Sequence, residues 1–248
     1  MSEQLEGINS VLEALRVGRA IEKIYVDKAR QDQRIDTILS LAARKRVPVE
    51  RVDRARLNSL SQYGRCQGVL ARVSPYRYYE VEEMLEEAFI RKEEPFLIIL
   101  DGLEDPQNLG SIIRTAECAG VHGVIIPRHG AARITPAVAR ASSGAIEHVK
   151  VAQVTNLVNT IESLKRAGVW VVGTDPAAQQ DYFEIAIPTP VALVIGGEGR
   201  GVRRRVKEHC DLVVKIPMYG SLGSLNAAIS CALVAYEVVR QRRAGKPV

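Results

Sequence analysis

Three stretches of the 248-residue sequence concentrate the side chains that could do chemistry. DGLEDPQNLGSIIRTAECAG at 101–120 offers Asn108 and Arg114. GGEGRGVRRRV at 196–206 sets Glu198 among Gly196, Gly197, Gly199 and Gly201, and MYGSLGSLNAAIS at 218–230 carries Ser224 and Asn226. The four histidines and four cysteines stand far apart, without C-x-x-C or ligand spacing, so the chemistry is not metal-centred. The glycine stretch is not a phosphate loop either. It has no G-x-x-x-x-G-K-[ST], and G-x-G-x-x-G would need glycine at Val202 or Arg204. A carboxylate inside the loop, Glu198, opposes a phosphate but tolerates the amino group or hydroxyls of a ligand. Plainer structural uses exist beside the functional ones: Asn108 as a helix N-cap after the Asp105-Pro106 turn, Ser224 as the cap of the last helix, and Arg114 as a solvated arginine.

The elements that must position these residues follow from the apolar pattern. From Phe96 onward the strands are apolar along their whole length: 96–100, 121–127, 169–173, 191–196 and 211–217. Such strands belong in a sheet covered on both faces. Helical segments at about 108–120, 155–167 and 224–243 alternate with them, which predicts a mainly parallel α/β sheet. Ligands of such sheets gather beyond the carboxyl ends of the strands, where all three stretches lie. After the first strand the sequence reads DGLEDPQ, without the glycine fingerprint of a dinucleotide-binding oxidoreductase. Val234, Val238 and the alanines at 227, 228, 232 and 235 let the last helix pack closely, on the sheet or against a second subunit.

Residues 1–74 read as a separate small α/β unit, with helices near Val11–Leu15, Ile35–Ala42 and Ala55–Leu60 and strands at Lys23–Val26, Val47–Val52 and Gly68–Val73. Residues 75–95, with Pro75 and a short acidic helix, read as a linker, and 96–248 as the second domain. The net charge is +5, with 14 Lys/Arg against 9 Asp/Glu in residues 1–74, which suits a polyanionic partner. No apolar run approaches the length of a membrane span, and MSEQLEGINS has neither the basic nor the apolar region of a secretory signal. We therefore expect a soluble, cytoplasmic protein with no membrane partner.

DPQNLGSIIRTAECAG, LVIGGEGRGV and IPMYGSLGSLNAAIS, in this order and spacing, resemble the three motifs of the SpoU/TrmH (SPOUT class) RNA 2′-O-ribose methyltransferases. GINSVLEAL and QGVLARV are similar to the RNA-binding N-terminal domain of the RlmB branch, which acts on a guanosine of 23S ribosomal RNA. The resemblance implies an N-terminal RNA substrate-binding domain followed by a methyltransferase domain whose C-terminal stretch is threaded into a trefoil knot, an exception to the rule that chains avoid knots.

It also implies S-adenosylmethionine as methyl donor, no metal, and a homodimer. By motif match the donor would be held by Gly196, Ile216 and Leu225, with Thr174, Gly197 and Met218 beside them. Asn108, Arg114, Glu198, Ser224 and Asn226 fall on catalytic positions. Arginine almost never loses its proton, so Arg114 suits a phosphate clamp better than a general base. Arg44, Lys45, Arg46, Arg51, Arg54 and Arg56 in the first domain, and Arg203, Arg204 and Arg205 beside the glycine loop, could meet RNA phosphates. Alternatives of different consequence are a transfer-RNA 2′-O-methyltransferase of the same family and a non-catalytic RNA-binding protein with this fold.

Overall fold

A computed structural model describes residues 3–62, 66–199 and 201–244, which form two compact units. The first holds the described residues up to Arg77 together with 133–148. Its chain runs β1 (Glu3–Glu6), α1 (Ile8–Val17), β2 (Ile21–Asp27), α2 (Gln33–Arg44), β3 (Val49–Val52), α3 (Arg54–Leu60) and β4 (Val69–Val73). The sheet order is β1-β4-β2-β3, with only β2 and β3 parallel. Asp32 and Asp53 cap α2 and α3 through their carboxylates, so both helices begin where a short acceptor satisfies the first amides.

The second unit begins at Tyr78 with α4 (Val81–Arg91), β5 (Phe96–Asp101), α5 (Pro106–Cys118) and β6 (Gly123–Pro127). The short acidic helix expected in the linker is present as α4, but it is packed into this unit and not solvated all round: it buries Met84 and Ala88, and Met84 joins the core around Leu97 and Ile99. Residues 133–148, with α6 (Pro136–Ala141), then belong to the first unit. There Ser10 donates to the Ala139 carbonyl at 3.2 Å, and Arg19 pairs with Glu147 at 2.6 Å. The second unit resumes at Val149 with β7 (Lys150–Val154), α7 (Leu157–Arg166), β8 (Trp170–Thr174), β9 (Gln180–Asp181), β10 (Val191–Gly196), α8 (Arg204–Lys207), β11 (Leu212–Lys215) and α9 (Ala227–Ala244).

Its seven strands are ordered β7-β6-β5-β10-β8-β11-β9, and every neighbouring pair is parallel. The fold is thus the mixed α/β architecture expected, with a small N-terminal unit and a parallel-sheet unit. Alternation along β5 sends Leu97 and Ile99 into a core with Leu157, Ile161, Leu164 and Val206. Phe96 points the other way, where the Arg242 guanidinium of α9 lies 5.0 Å from its ring centroid. The topology brings β10 back between β5 and β8, so the glycine loop after β10 opens beside the turn after β5.

Candidate active site

The end of β5 organises the glycine loop. Asp101 is buried at the last position of the strand. Its carbonyl accepts from Gly197 N at 2.8 Å, and its carboxylate accepts from Arg203 N at 2.8 Å and Arg203 Nε at 2.7 Å. One residue thus holds both ends of the loop. Within it Gly201 N donates to the Gly197 carbonyl at 3.1 Å. A Cβ on Gly196 would come within 2.1 Å of the Gly201 carbonyl carbon, and one on Gly197 within 2.1 Å of the Gly102 oxygen. These two positions must be glycine because backbone packs directly on backbone there. Arg200 lies outside the described residues.

A cavity of about 650 Å³ opens beside this loop. It is lined by all six residues expected to hold a methyl donor: Thr174, Gly196, Gly197, Ile216, Met218 and Leu225. Glu198, Ser224 and Asn226 line it as well. The residues fit S-adenosylmethionine: Ile216, Met218 and Leu225 provide an aliphatic wall for a purine, and exposed backbone provides hydrogen-bonding groups without competing side chains. Asp175, also at this cavity, is hydrogen-bonded by Lys207, which holds its carboxyl below the usual carboxylate range.

Three motif side chains meet at the cavity's edge. Asn226 Nδ2 donates to Asn108 Oδ1 at 2.9 Å and reaches Glu198 Oε1 at 3.3 Å, and Asn108 Nδ2 donates to the same carboxylate oxygen. The expectation that Asn108 caps its helix is corrected. Asp105 is the cap, accepting from Gln107 N and Asn108 N at 3.1 Å each, and Pro106 occupies the first turn. The cap lies three residues earlier, so Asn108 is helical and its side chain is released for the cluster. The last helix differs likewise. Asn226, not Ser224, caps α9, its Oδ1 accepting from Ala228 N at 2.9 Å and Ile229 N at 3.3 Å.

Arg114 sits further along α5, exposed, and does not line the 650 Å³ cavity. Asn108 also borders a groove of about 710 Å³ between α5 and α9, with Ser111, Thr115, Ile229, Leu233 and Tyr236. The sequence reading missed Asp101, Asp175 and the pairing role of Arg203. The available signal was a carboxylate ending an apolar strand, where a buried charge needs a partner.

The model of the SpoU rRNA methylase family matches residues 95–236, and that of the RNA 2′-O ribose methyltransferase substrate-binding domain matches residues 4–79. YacO of Bacillus subtilis, assigned to the TrmH family of tRNA/rRNA methyltransferases, is 43% identical over 98% of this chain and 98% of its own. The SpoU methyltransferase AviRb of Streptomyces viridochromogenes, solved with AdoMet, superposes with a TM-score of 0.82 at 27% identity, covering 99% of this chain and 92% of that one. A crystal structure of an RNA 2′-O ribose methyltransferase superposes with a TM-score of 0.80 at 27% identity, over 97% of this chain and 88% of that one.

Proposed function

We propose, from the premise that the chain belongs to the SpoU/TrmH family of S-adenosylmethionine-dependent RNA methyltransferases, that the atom it methylates is a ribose 2′-oxygen and the nucleotide a guanosine of 23S ribosomal RNA. The observation that carries this reading is that Glu198 and Asn226 line the donor cavity while hydrogen-bonding Asn108. The match of residues 4–79 to a substrate-binding domain of 2′-O ribose methyltransferases supports the choice of oxygen.

S-adenosylmethionine supplies an electrophilic methyl carbon when bound. The chain's residues must then hold the ribose oxygen in line with that carbon and take its hydrogen. Both amides of the cluster direct their donors at Glu198 Oε1, which leaves Oε2, among the described residues, to accept from the 2′-hydroxyl. Arg114 clamps a flanking phosphate, since a guanidinium keeps its proton and offers a planar fork. Ser224, at the cavity, adds a hydroxyl to orient the ribose. With the donor bound, its methyl group would leave sulfur for the 2′-oxygen, while the hydroxyl proton would pass through the Glu198 carboxylate to solvent.

The same reading includes the trefoil threading of the C-terminal stretch, supported by the return of residues 216–226 to the glycine loop. It includes a cytoplasmic homodimer as well. An exposed apolar stripe on α9, Ile229, Leu233 and Tyr236 at helical spacing, supports the dimer. The basic residues of the first unit, Arg44 to Arg56, supply phosphate contacts. A transfer-RNA substrate is the second reading, favoured by the tRNA/rRNA description of the relatives. Methyl transfer from labelled S-adenosylmethionine to ribosomal and transfer RNA, followed by mapping of 2′-O-methylated nucleotides, decides between them. Label on one 23S guanosine, absent with Asn108→Ala, is expected. Label on transfer RNA replaces the substrate, and label on a base overturns the 2′-O assignment.

A further inference from the structure

A second cavity, of about 700 Å³, lies against the first, and Gly197, Glu198 and Gly201 line both. It is lined by residues that follow the carboxyl ends of the adjacent parallel strands β6, β5 and β10: His129 and Gly130, Gly102 to Asp105, and Gly197, Glu198, Gly201 and Arg203. That end of a parallel sheet is where ligands collect. We propose that this second cavity receives the target nucleoside, with Glu104 reading the Watson–Crick edge of a guanine and His129 facing the ring. The inference rests on the methyl-transfer reading above and assigns the acceptor a binding site of its own.

The shared wall is the first argument. Direct transfer requires donor and acceptor on two sides of the same reacting groups, and Glu198, which the two amides orient, borders both spaces. The second argument is which carboxylates remain available. Asp101 is engaged by Arg203, and Asp105 by the first amides of α5. Glu104 is exposed at the cavity and engaged by neither. An ionised carboxylate only accepts hydrogen bonds. Guanine alone presents two adjacent donors, N1–H and the N2 amino group, to its two oxygens. Adenine and cytosine place an acceptor nitrogen there, and uracil has a single donor between two carbonyls.

The third argument is the ring. Splayed-out RNA bases are held between a stacking side chain and hydrogen bonds to their edges, and His129 is the aromatic ring lining this cavity. Carboxylates on the cavity wall disfavour phosphate inside it. Arg203, whose side chain is 62% exposed, offers positive charge for the backbone at the mouth.

The test uses the full-length protein and 23S ribosomal RNA transcribed in vitro, which carries no modification. Glu104→Gln and His129→Ala are compared with wild type for S-adenosylmethionine binding by calorimetry and for kcat/KM of methyl transfer. Donor binding is expected within about twofold of wild type, with kcat/KM lowered roughly 10- to 100-fold in Glu104→Gln, the discrimination a bidentate base contact provides. Replacing the target guanosine by inosine, which lacks the N2 amino group, should impair wild type but add little to Glu104→Gln. Wild-type kcat/KM in both variants, or an inosine penalty equal in wild type and Glu104→Gln, overturns the assignment while leaving the methyl-transfer reading intact. Failure of the wild-type protein to methylate a guanosine overturns the substrate reading and the base assignment together.

Discussion

Asn226 Nδ2 lies 2.9 Å from Asn108 Oδ1, joining two residues 118 positions apart in the sequence. The bond fixes more than its own geometry. Asn226 Oδ1 is committed to the amides of Ala228 and Ile229, so Nδ2 must face Asn108, and the Asn108 amide must then turn its own Nδ2 to Glu198. The cap of α9 therefore sets the orientation of the carboxylate at the 650 Å³ cavity. Asn226→Ser separates the two roles, because serine caps as well as asparagine but is uncharged and has no amide to reach Asn108 and Glu198. Its melting temperature should stay near that of wild type while single-turnover methyl transfer falls about 100-fold, the scale of loss from misplacing a reacting group. Wild-type turnover in this variant would remove the cluster from the mechanism.

Gly197 offers a steric test of the loop. An added methyl would meet the Gly102 carbonyl oxygen at 2.1 Å, a clash with backbone that no side chain can relieve. Gly197→Ala should weaken S-adenosylmethionine binding by at least about tenfold, or roughly 1.4 kcal/mol, as the loop shifts away from Asp101. Gly220→Ala is the control, since a Cβ there meets nothing within 4 Å. Calorimetric titration of both variants reads the difference, and equal affinities would mean that the loop adapts without cost to the cavity.

How far the sequence was legible depended on whether the decisive interaction was local. β10 spans 191–196 as read, because a strand covered on both faces is apolar at every position. β7, with Lys150 and Gln153 among its five residues, lacks that mark and was not anticipated. The resemblance singled out Asn108, Glu198, Ser224 and Asn226 from three separate stretches, and the fold joins three of them, Asn108, Glu198 and Asn226, by hydrogen bonds. The caps were misread because Asp105, Asn108, Ser224 and Asn226 are all competent cap residues, and only the fold decides which side chains are needed elsewhere. Residues 133–148 were assigned by their neighbours in sequence. Their partners are Ser10, Glu13 and Arg19, more than a hundred residues away, which no periodicity reveals.

His122 makes the stability of the second unit depend on pH. Its Nδ1 accepts from Phe96 N at 3.1 Å, which requires an unprotonated nitrogen, while Nε2 lies 3.1 Å from Glu93 Oε2. Burial pushes its pKa below the ordinary histidine value, with Arg91 and Arg242 adding to the effect and Glu93 opposing it. The unfolded chain then takes up a proton near pH 6.5 that the folded chain resists. Stability from this group is complete above that pH and is lost as pH falls from about 6.5 toward the lower folded pKa. Urea midpoints measured from about pH 8 to 5 should decline below 6.5 in wild type, and more weakly in His122→Asn. Parallel slopes in the two proteins would exclude His122 as the origin.

The ion pair between Arg19 and Glu147 should hold residues 133–148 on the first unit. The two side chains are 9% and 5% exposed and meet at 2.6 Å, and Arg19 also donates to the Ser74 carbonyl at 2.7 Å. Burial raises the pKa of Glu147 while the Arg19 charge opposes that rise. Removing the guanidinium takes the counter-charge from the Glu147 carboxylate, whose side chain is 5% exposed, and also ends the pairing of Arg19 with Glu3 at 3.2 Å; losing one member of a buried pair costs about 3–5 kcal/mol. Arg19→Ala should therefore lower the unfolding free energy of this unit by that order and speed amide exchange across 133–148. Adding Glu147→Gln should recover part of the loss, because the orphaned charge, rather than the missing contact, carries most of the penalty. Exchange at wild-type rates in Arg19→Ala would instead assign the docking of this segment to its apolar contacts through Val138 and Ile146, both buried.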